Sequence, residues 1–210
     1  PKTIQDLESY GKPLIFVDSN TLYLGHSCVT TDLEDSVITA LEHFLEHHHK
    51  EIGLLVGQEE TADATPLQID PRQRAFQQFL TEKGLYEERF VAVGQFSTES
   101  GYQMMEQLIQ TLGDDLPTAF FMASDAIAVG ALRSLQEHQI AVPDRVSLIS
   151  FNDTSIAKYV FPALSTVTVY TEEMGKQAIQ MLRQTFQGSQ PSVPCMVKLA
   201  TKLTIRDSSR

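Results

Sequence analysis

Apolar residues follow two spacings along the chain. Six short runs, at residues 14–17, 52–56, 90–93, 118–122, 146–151 and 165–169, are four to six residues long with little polar alternation. A strand covered on both faces has that pattern, so each run predicts a buried strand. Between the runs, apolar residues recur three and four apart. Leu33, Val37, Leu41, Phe44 and Leu45 share one helical face, as do Phe76, Phe79 and Leu80. Tyr102, Met105, Leu108, Ile109 and Leu112 form a third face, and Met174, Ala178, Met181 and Leu182 a fourth. Asp32 and Thr171 stand where N-caps are wanted, each with acidic residues just after it, and Gly84, Gly113 and Gly188 where C-caps are wanted.

Strands alternating with helices imply βαβ units, and hence an α/β fold with a parallel, doubly wound sheet. Ligands of such sheets bind outside the carboxyl ends of the strands. Asp18, Gln95 with Phe96, Ser124 with Asp125, Asn152 with Asp153, and Tyr170 follow predicted strands. Carboxylates and amides make paired hydrogen bonds to hydroxyls, and an aromatic face stacks on C–H groups, so these ends suit a neutral polyol. The competing role is local: Ser124 and Asn152 could each cap the helix that follows.

Composition narrows the function classes. The chain has 210 residues, 42% of them apolar, enough to bury a core in one or two domains. Sixteen basic residues against 27 acidic ones leave a net charge of -11, which repels phosphate and argues against a large nucleic-acid face or an anionic-membrane surface within these residues. No run of 18 apolar residues is present to span a bilayer. Cys28 and Cys195 stand far apart with no CxxC, and read as small buried hydrophobes of a reducing compartment.

Catalytic motifs mostly fail. His43-Phe44-Leu45-Glu46-His47 matches the HxxEH zinc-protease pattern. It lies at the end of a predicted helix running into His48, His49 and Lys50, where cations suit the helix dipole, so it reads as a solvated helix end. No GxSxG, GxGxxG or P-loop lysine is present, and Gly53 and Gly57 are too sparse to replace a phosphate cradle. Asp125 and Asp153 carry no spacing that would make them a glycosidase pair.

Several ordered motifs together resemble the effector-binding core of the LacI/GalR family of bacterial transcription regulators. Lys12-Pro13-Leu14-Ile15-Phe16-Val17-Asp18 is similar to that family's strand ending in aspartate, and Val29-Thr30-Thr31-Asp32 to its helix entry. Arg72-Gln73-Arg74-Ala75-Phe76 resembles R-x-x-G-F with alanine for glycine, and Gly94-Gln95-Phe96-Ser97 with Gly101-Tyr102 resembles G-x-F-S…G-Y. Residues 117–132, 142–153 and 161–178 complete the likeness. The wording of Leu148–Asp153 and Leu164–Val167 looks most like repressors of galactose and β-galactosidase operons.

The resemblance implies two doubly wound subdomains of periplasmic-binding-protein-like type. Residues 1–31 with 171–198 would be the remnant of an incomplete N-terminal effector-binding subdomain. Residues 32–170 with 199–210 would be the C-terminal one, with the effector in the cleft between the two. The family's DNA-binding headpiece would lie outside this chain. Carried over residue by residue, the sugar contacts would be Asp18, Arg72, Phe96, Ser124 and Asn152, to which the strand-end reading adds Asp125 and Tyr170. Ser124 stands where the family has asparagine, and Asn152 where it has the first aspartate of G-F-D-D. Arg72 would reach ligand oxygens through its guanidinium fork, with a salt bridge to Asp70 or Glu82 as its plainer role. The implied function is a cytoplasmic, homodimeric sugar sensor for galactose or a galactoside, neither enzyme nor membrane protein, without cofactor or metal. It would change operator affinity by linkage. A periplasmic-type sugar carrier is the alternative.

Overall fold

The computed structural model describes residues 2–58, 69–189 and 191–210. Helix α1 (Lys2–Glu8) is followed by β1 (Ile15–Val17), β2 (Ser27–Thr31), α2 (Leu33–Glu46) and β3 (Ile52–Gly57). Then come α3 (Pro71–Glu82), β4 (Val91–Gly94), α4 (Thr98–Leu112), β5 (Ala119–Met122) and α5 (Asp125–Glu137). The chain continues through β6 (Ser147–Asn152), α6 (Ile156–Tyr159), β7 (Ser165–Thr168), α7 (Thr171–Phe186), β8 (Met196–Leu199) and β9 (Lys202–Thr204).

The chain divides into two compact units, Pro1–Asp32 with Val169–Thr201, and Leu33–Thr168 with Lys202–Arg210. The crossings fall after Asp32, Thr168 and Thr201, against expected positions at Thr31, Tyr170 and Lys198. Tyr170 therefore lies in the first unit. Its carbonyl accepts from the Met174 amide at 3.0 Å, which makes it the residue that opens α7. Thr171 is inside that helix and not its cap.

In the first unit β1, β2 and β8 form a parallel sheet in the order β1-β2-β8. Met174, Ala178 and Met181 of α7 pack on Val29, with Ile15, Val169, Cys195, Val197 and Leu199 around them. Cys28 is buried and Cys195 half-buried, both as free thiols. The middle strand β2 was not apparent in the apolar runs because it reads Ser-Cys-Val-Thr-Thr. Its buried Thr31 hydroxyl is satisfied by the Met174 sulfur at 3.5 Å. Strands β8 and β9 were missed for a similar reason: both are short, and neither is fully buried.

In the second unit six strands run in the order β4-β3-β5-β6-β7-β9, parallel except for the last pair. Every residue of β3 and β5 is buried, which explains their unbroken apolar runs. Leu55, Phe120, Met122 and Leu148 of the sheet pack against Met104, Met105, Ile127, Ala131 and Leu135 of α4 and α5.

Helices α4 and α5 meet backbone to backbone. A Cβ on Gly130 would lie 1.9 Å from the Thr98 carbonyl oxygen, and one on Gly101 would lie 2.2 Å from that of Ile127. Only a residue without a side chain fits there. Gly130→Ala is therefore expected to lower unfolding free energy by about 2 kcal/mol or more. Gly175→Ala on α7, where a Cβ meets nothing within 4 Å, should instead raise it by roughly 0.5–1 kcal/mol. Urea denaturation of both variants checks the contrast, and equal midpoints would refute the close packing.

Candidate functional site

The chain leaves β3 to one side to form β4 and then returns to the other side to form β5. That reversal makes the carboxyl ends of β3 and β5 the switch point of the second unit, where ligands of such sheets bind. Arg72 stands at this point, in the first turn of α3. Asp70 caps the helix by accepting from the Arg72 amide at 2.8 Å. The same carboxylate grips the Arg72 guanidinium with both oxygens, from Nε at 2.8 Å and Nη2 at 2.7 Å. Nη1 donates to the Ala123 carbonyl at the end of β5, at 2.8 Å. The Asp70 bridge foreseen for Arg72 is thus present. Among the described residues three of its five N–H donors are used, which leaves one on each terminal nitrogen. Both side chains of the pair are only 12% exposed.

The guanidinium also lies over two rings, 4.8 Å from the Phe96 centroid and 5.3 Å from that of Phe151. Phe96 is half-buried just beyond β4. Gly57 at the end of β3 makes room for it, since a Cβ there would lie 2.4 Å from the ring. The remaining ring surface is what an apolar ligand face could stack on.

Ser124 is the N-cap of α5, accepting from the Ile127 amide at 3.2 Å. Asn152 ends β6 with φ of 106°, and Asp153 follows with φ of 58°. Asparagine and aspartate tolerate that region better than other residues with a side chain. The strained turn is held from outside: Asp153 accepts from Arg206 Nη2 at 2.7 Å and from the Thr168 hydroxyl at 2.9 Å. Asn152 does not cap a helix, and α6 begins after Ser155. Its side-chain amide has no hydrogen-bond partner among the described residues.

Asp125, 1% exposed, is placed inside the protein. Its carboxylate accepts from the hydroxyls of Ser150, Thr154 and Thr166 and from the Thr154 amide. Four donors match the acceptor capacity of one carboxylate. Asp125→Ala would orphan them, so it is expected to cost about 3 kcal/mol of stability. A loss under about 1 kcal/mol in urea unfolding would contradict this role.

Arg72, Phe96, Ser124, Asp125 and Asn152 thus come together at one edge of the second unit. Asp18 and Tyr170 belong to the first unit, both exposed. Asp18 follows β1 with φ of 61°, its amide bonded to the Val29 carbonyl. The strand-end rule also reaches two residues the sequence reading passed over. Gln58 follows β3. Asp32 follows β2, a strand hidden by its polar composition, and was assigned only to a cap; Lys198 lies 3.6 Å from its carboxylate.

The histidine cluster is the expected solvated helix end at His47, His48 and Lys50, which are exposed, but not at His43 and His49, which are half-buried. His43 is half-buried with its Nε2 buried and unpartnered, and its ring lies 4.2 Å from that of His47. His49 bonds the Thr118 hydroxyl through Nδ1 at 2.9 Å and packs edge-on against Phe44. Burial depresses the basicity of both rings, and neighbouring histidines add to it: His47 and His49 around His43, His47 near His49. Among the described residues, no cluster of three or more His, Cys, Asp or Glu side chains is placed to hold a metal ion. The unfolded state takes up protons near pH 6.5 that folded His43 and His49 refuse. Their contribution is therefore present above pH 6.5 and lost as pH falls below it. The thermal midpoint should decline from pH 7 towards 5, less steeply in His43→Gln; identical slopes would acquit His43.

A family model described as a periplasmic binding protein-like domain matches residues 41–209. The chain is 49% identical over 207 residues to the HTH-type transcriptional regulator GalR of Streptococcus thermophilus, covering 99% of this chain and 62% of that one. It is 36% identical over 206 residues to GalR of Lacticaseibacillus casei, covering 98% and 62%. A solved transcriptional regulator CelR–cellobiose complex superposes with a TM-score of 0.81 at 25% identity, over 94% of this chain and 59% of that one. The chain therefore spans about three fifths of the length of these relatives, which are named as regulators and not as enzymes. Among the described residues no helix is long and apolar enough to cross a membrane. With the parallel sheets, the family model and the relatives in agreement, the chain belongs to the periplasmic binding protein-like domain family, in its LacI/GalR branch.

Proposed function

We propose that this chain is the sugar-sensing domain of a cytoplasmic bacterial transcriptional repressor, with galactose or a galactoside as effector. The observation that carries the reading is Arg72 at the switch point, fixed by Asp70 and the Ala123 carbonyl, stacked on Phe96, and holding two more N–H donors that have no partner among the described residues. A guanidinium so held donates to hydroxyl oxygens in a set direction, and the aromatic face beside it takes the C–H face of a ring. Asn152 and Ser124 supply neutral hydrogen bonding at the neighbouring strand ends. Asp125 enters through the ends it holds in place. Asp18 and Tyr170 of the first unit stay in the proposal as residues whose substitution weakens sugar binding.

The names of the two GalR relatives support galactose, and the cellobiose complex supports a sugar class. The regulator would act as a homodimer and reach operator DNA through a part outside these residues. Sugar would favour one conformation over another and so shift the affinity for DNA, with no chemistry on the ligand.

Calorimetric titration with galactose, lactose, glucose and ribose tests this; the chain has no tryptophan to report binding. Saturable binding of galactose or lactose is expected, weakened at least about tenfold, or roughly 1.4 kcal/mol, by Arg72→Ala. Asn152→Ala should weaken it less, as a neutral hydrogen bond contributes less than a charged one. Unchanged affinity in Arg72→Ala would move the site elsewhere.

A further inference from the structure

Among the buried polar side-chain atoms of the described residues, one lacks a hydrogen-bond partner: Nε2 of His43. Such an atom calls for an explanation, because a buried donor or acceptor left unpaired costs free energy. His43 lies in the last turn of α2 and His47 directly after that helix. The His47 amide still bonds the His43 carbonyl, at 3.2 Å, so the two side chains share one helical face. Their ring centroids are 4.2 Å apart. The sensor reading uses neither of them.

The second ring is oriented for metal binding. His47 Nδ1 lies 2.8 Å from the His43 carbonyl oxygen, which can only accept, so Nδ1 carries the proton. In a neutral imidazole this leaves the lone pair on Nε2. A carbonyl bond at the other nitrogen is also how metal-binding histidines are commonly fixed. The two histidines that follow are placed differently. His48 turns out of the helix with φ of 68° and is exposed. His49 bonds the Thr118 hydroxyl through Nδ1 and packs edge-on against Phe44.

Two imidazole nitrogens on one helix face match a borderline transition metal and not magnesium or calcium, which take oxygen ligands. Ligand nitrogens about 2.0–2.1 Å from a tetrahedral ion stand roughly 3.3 Å apart, within reach of rings this close. The helix end favours a cation as well, because the last carbonyls of α2 carry partial negative charge. His47 is exposed, so its ring is the side from which an ion enters.

We propose that His43 and His47 chelate one divalent transition-metal ion of the zinc, nickel and copper class through their Nε2 atoms, with water completing its coordination. Two protein donors are involved, which agrees with the absence of any cluster of three or more among the described residues. The ion pairs the buried nitrogen and pins the last turn of α2. No hydrolysis is implied, and the site does not depend on the sugar-binding reading.

Calorimetric titration of the chain, free of any polyhistidine tag, with zinc chloride tests this, and magnesium chloride is the control. One zinc per chain is expected to bind, and no magnesium. His43→Gln and His47→Gln should each weaken zinc binding at least about tenfold, or roughly 1.4 kcal/mol, while His48→Gln leaves it unchanged. Zinc should also raise the thermal midpoint of the parent chain, an effect missing in the first two variants. Unfolding scans without metal show whether each variant is folded, and the exposed His47 serves if His43→Gln is not. Absence of saturable zinc binding, or binding that both substitutions leave unchanged, would overturn the site. An equal loss in His48→Gln would also overturn it, as adventitious binding to the run of histidines.

Discussion

Parallel strands end on a row of backbone groups with little to fix them, and in the second unit one carboxylate supplies much of what fixes them. Asp125 sits at the start of α5 and takes hydrogen bonds from Ser150 on β6, Thr154 in the loop beyond it, and Thr166 on β7. A buried carboxylate stays charged only where donors replace the water it has lost. Those donors come from two strands and a connecting loop, so satisfying the charge also sets the positions of three segments. The left-handed turn at Asn152 and Asp153 lies within this arrangement and is tied a second time through Arg206 and Thr168. Strain of that kind persists where surrounding structure over-determines it. The consequence is an asparagine amide held at a strand end with no hydrogen-bond partner among the described residues.

The same logic appears at Arg72 with the sign reversed. The chain is acidic overall, with 27 carboxylates against 16 basic side chains, yet a nearly buried guanidinium stands at the switch point. Asp70 both caps α3 and chelates Arg72, so the helix start and the cation's orientation depend on the same two oxygens. Had the pair been exposed, it would contribute little. At 12% exposure the two charges are mutually required, and removing one leaves the other poorly solvated. The arrangement neutralises the cation without exhausting its donors, which suits uncharged oxygens better than anions.

Much of this was legible in the sequence, and the reasons for what was not are physical. Strands β3 and β5 are buried on both faces and appear as unbroken apolar runs, and β6 as one interrupted by Ser147 and Ser150. The strand-end rule then led to Phe96, Ser124, Asp125 and Asn152 without any contact being known. Strand β2 escaped because hydroxyls and a thiol can be buried when each finds a partner, as Thr31 does with Met174; that partner is 143 residues away. The roles of strand-end residues were less legible than their positions. Nothing local distinguishes Ser124, which caps a helix, from Asn152, which does not. Nor does anything local reveal that Asp125 is saturated from within, because its donors lie 25 to 41 residues further along the chain. The His43–His47 spacing suggested a solvated end, but the tertiary packing of α2 buries one ring nitrogen.

In the sensor proposed above, these two fixed charges would divide the labour of recognition. Asp125 removes freedom from the strand ends before any ligand arrives, and Asp70 removes it from Arg72. Ordering a long, flexible side chain on binding costs on the order of 1 kcal/mol, comparable to the net gain from one hydrogen bond. A site whose donors are already oriented keeps that gain for discrimination between ligands. Because a tenfold difference in affinity between two conformations needs only about 1.4 kcal/mol, a few pre-oriented neutral contacts are enough to bias such an equilibrium. A fold with rigid strand ends and polar residues placed on them can therefore serve as a sensor without a large apolar pocket, and its selectivity rests on the ties behind the contacts as much as on the contacts themselves.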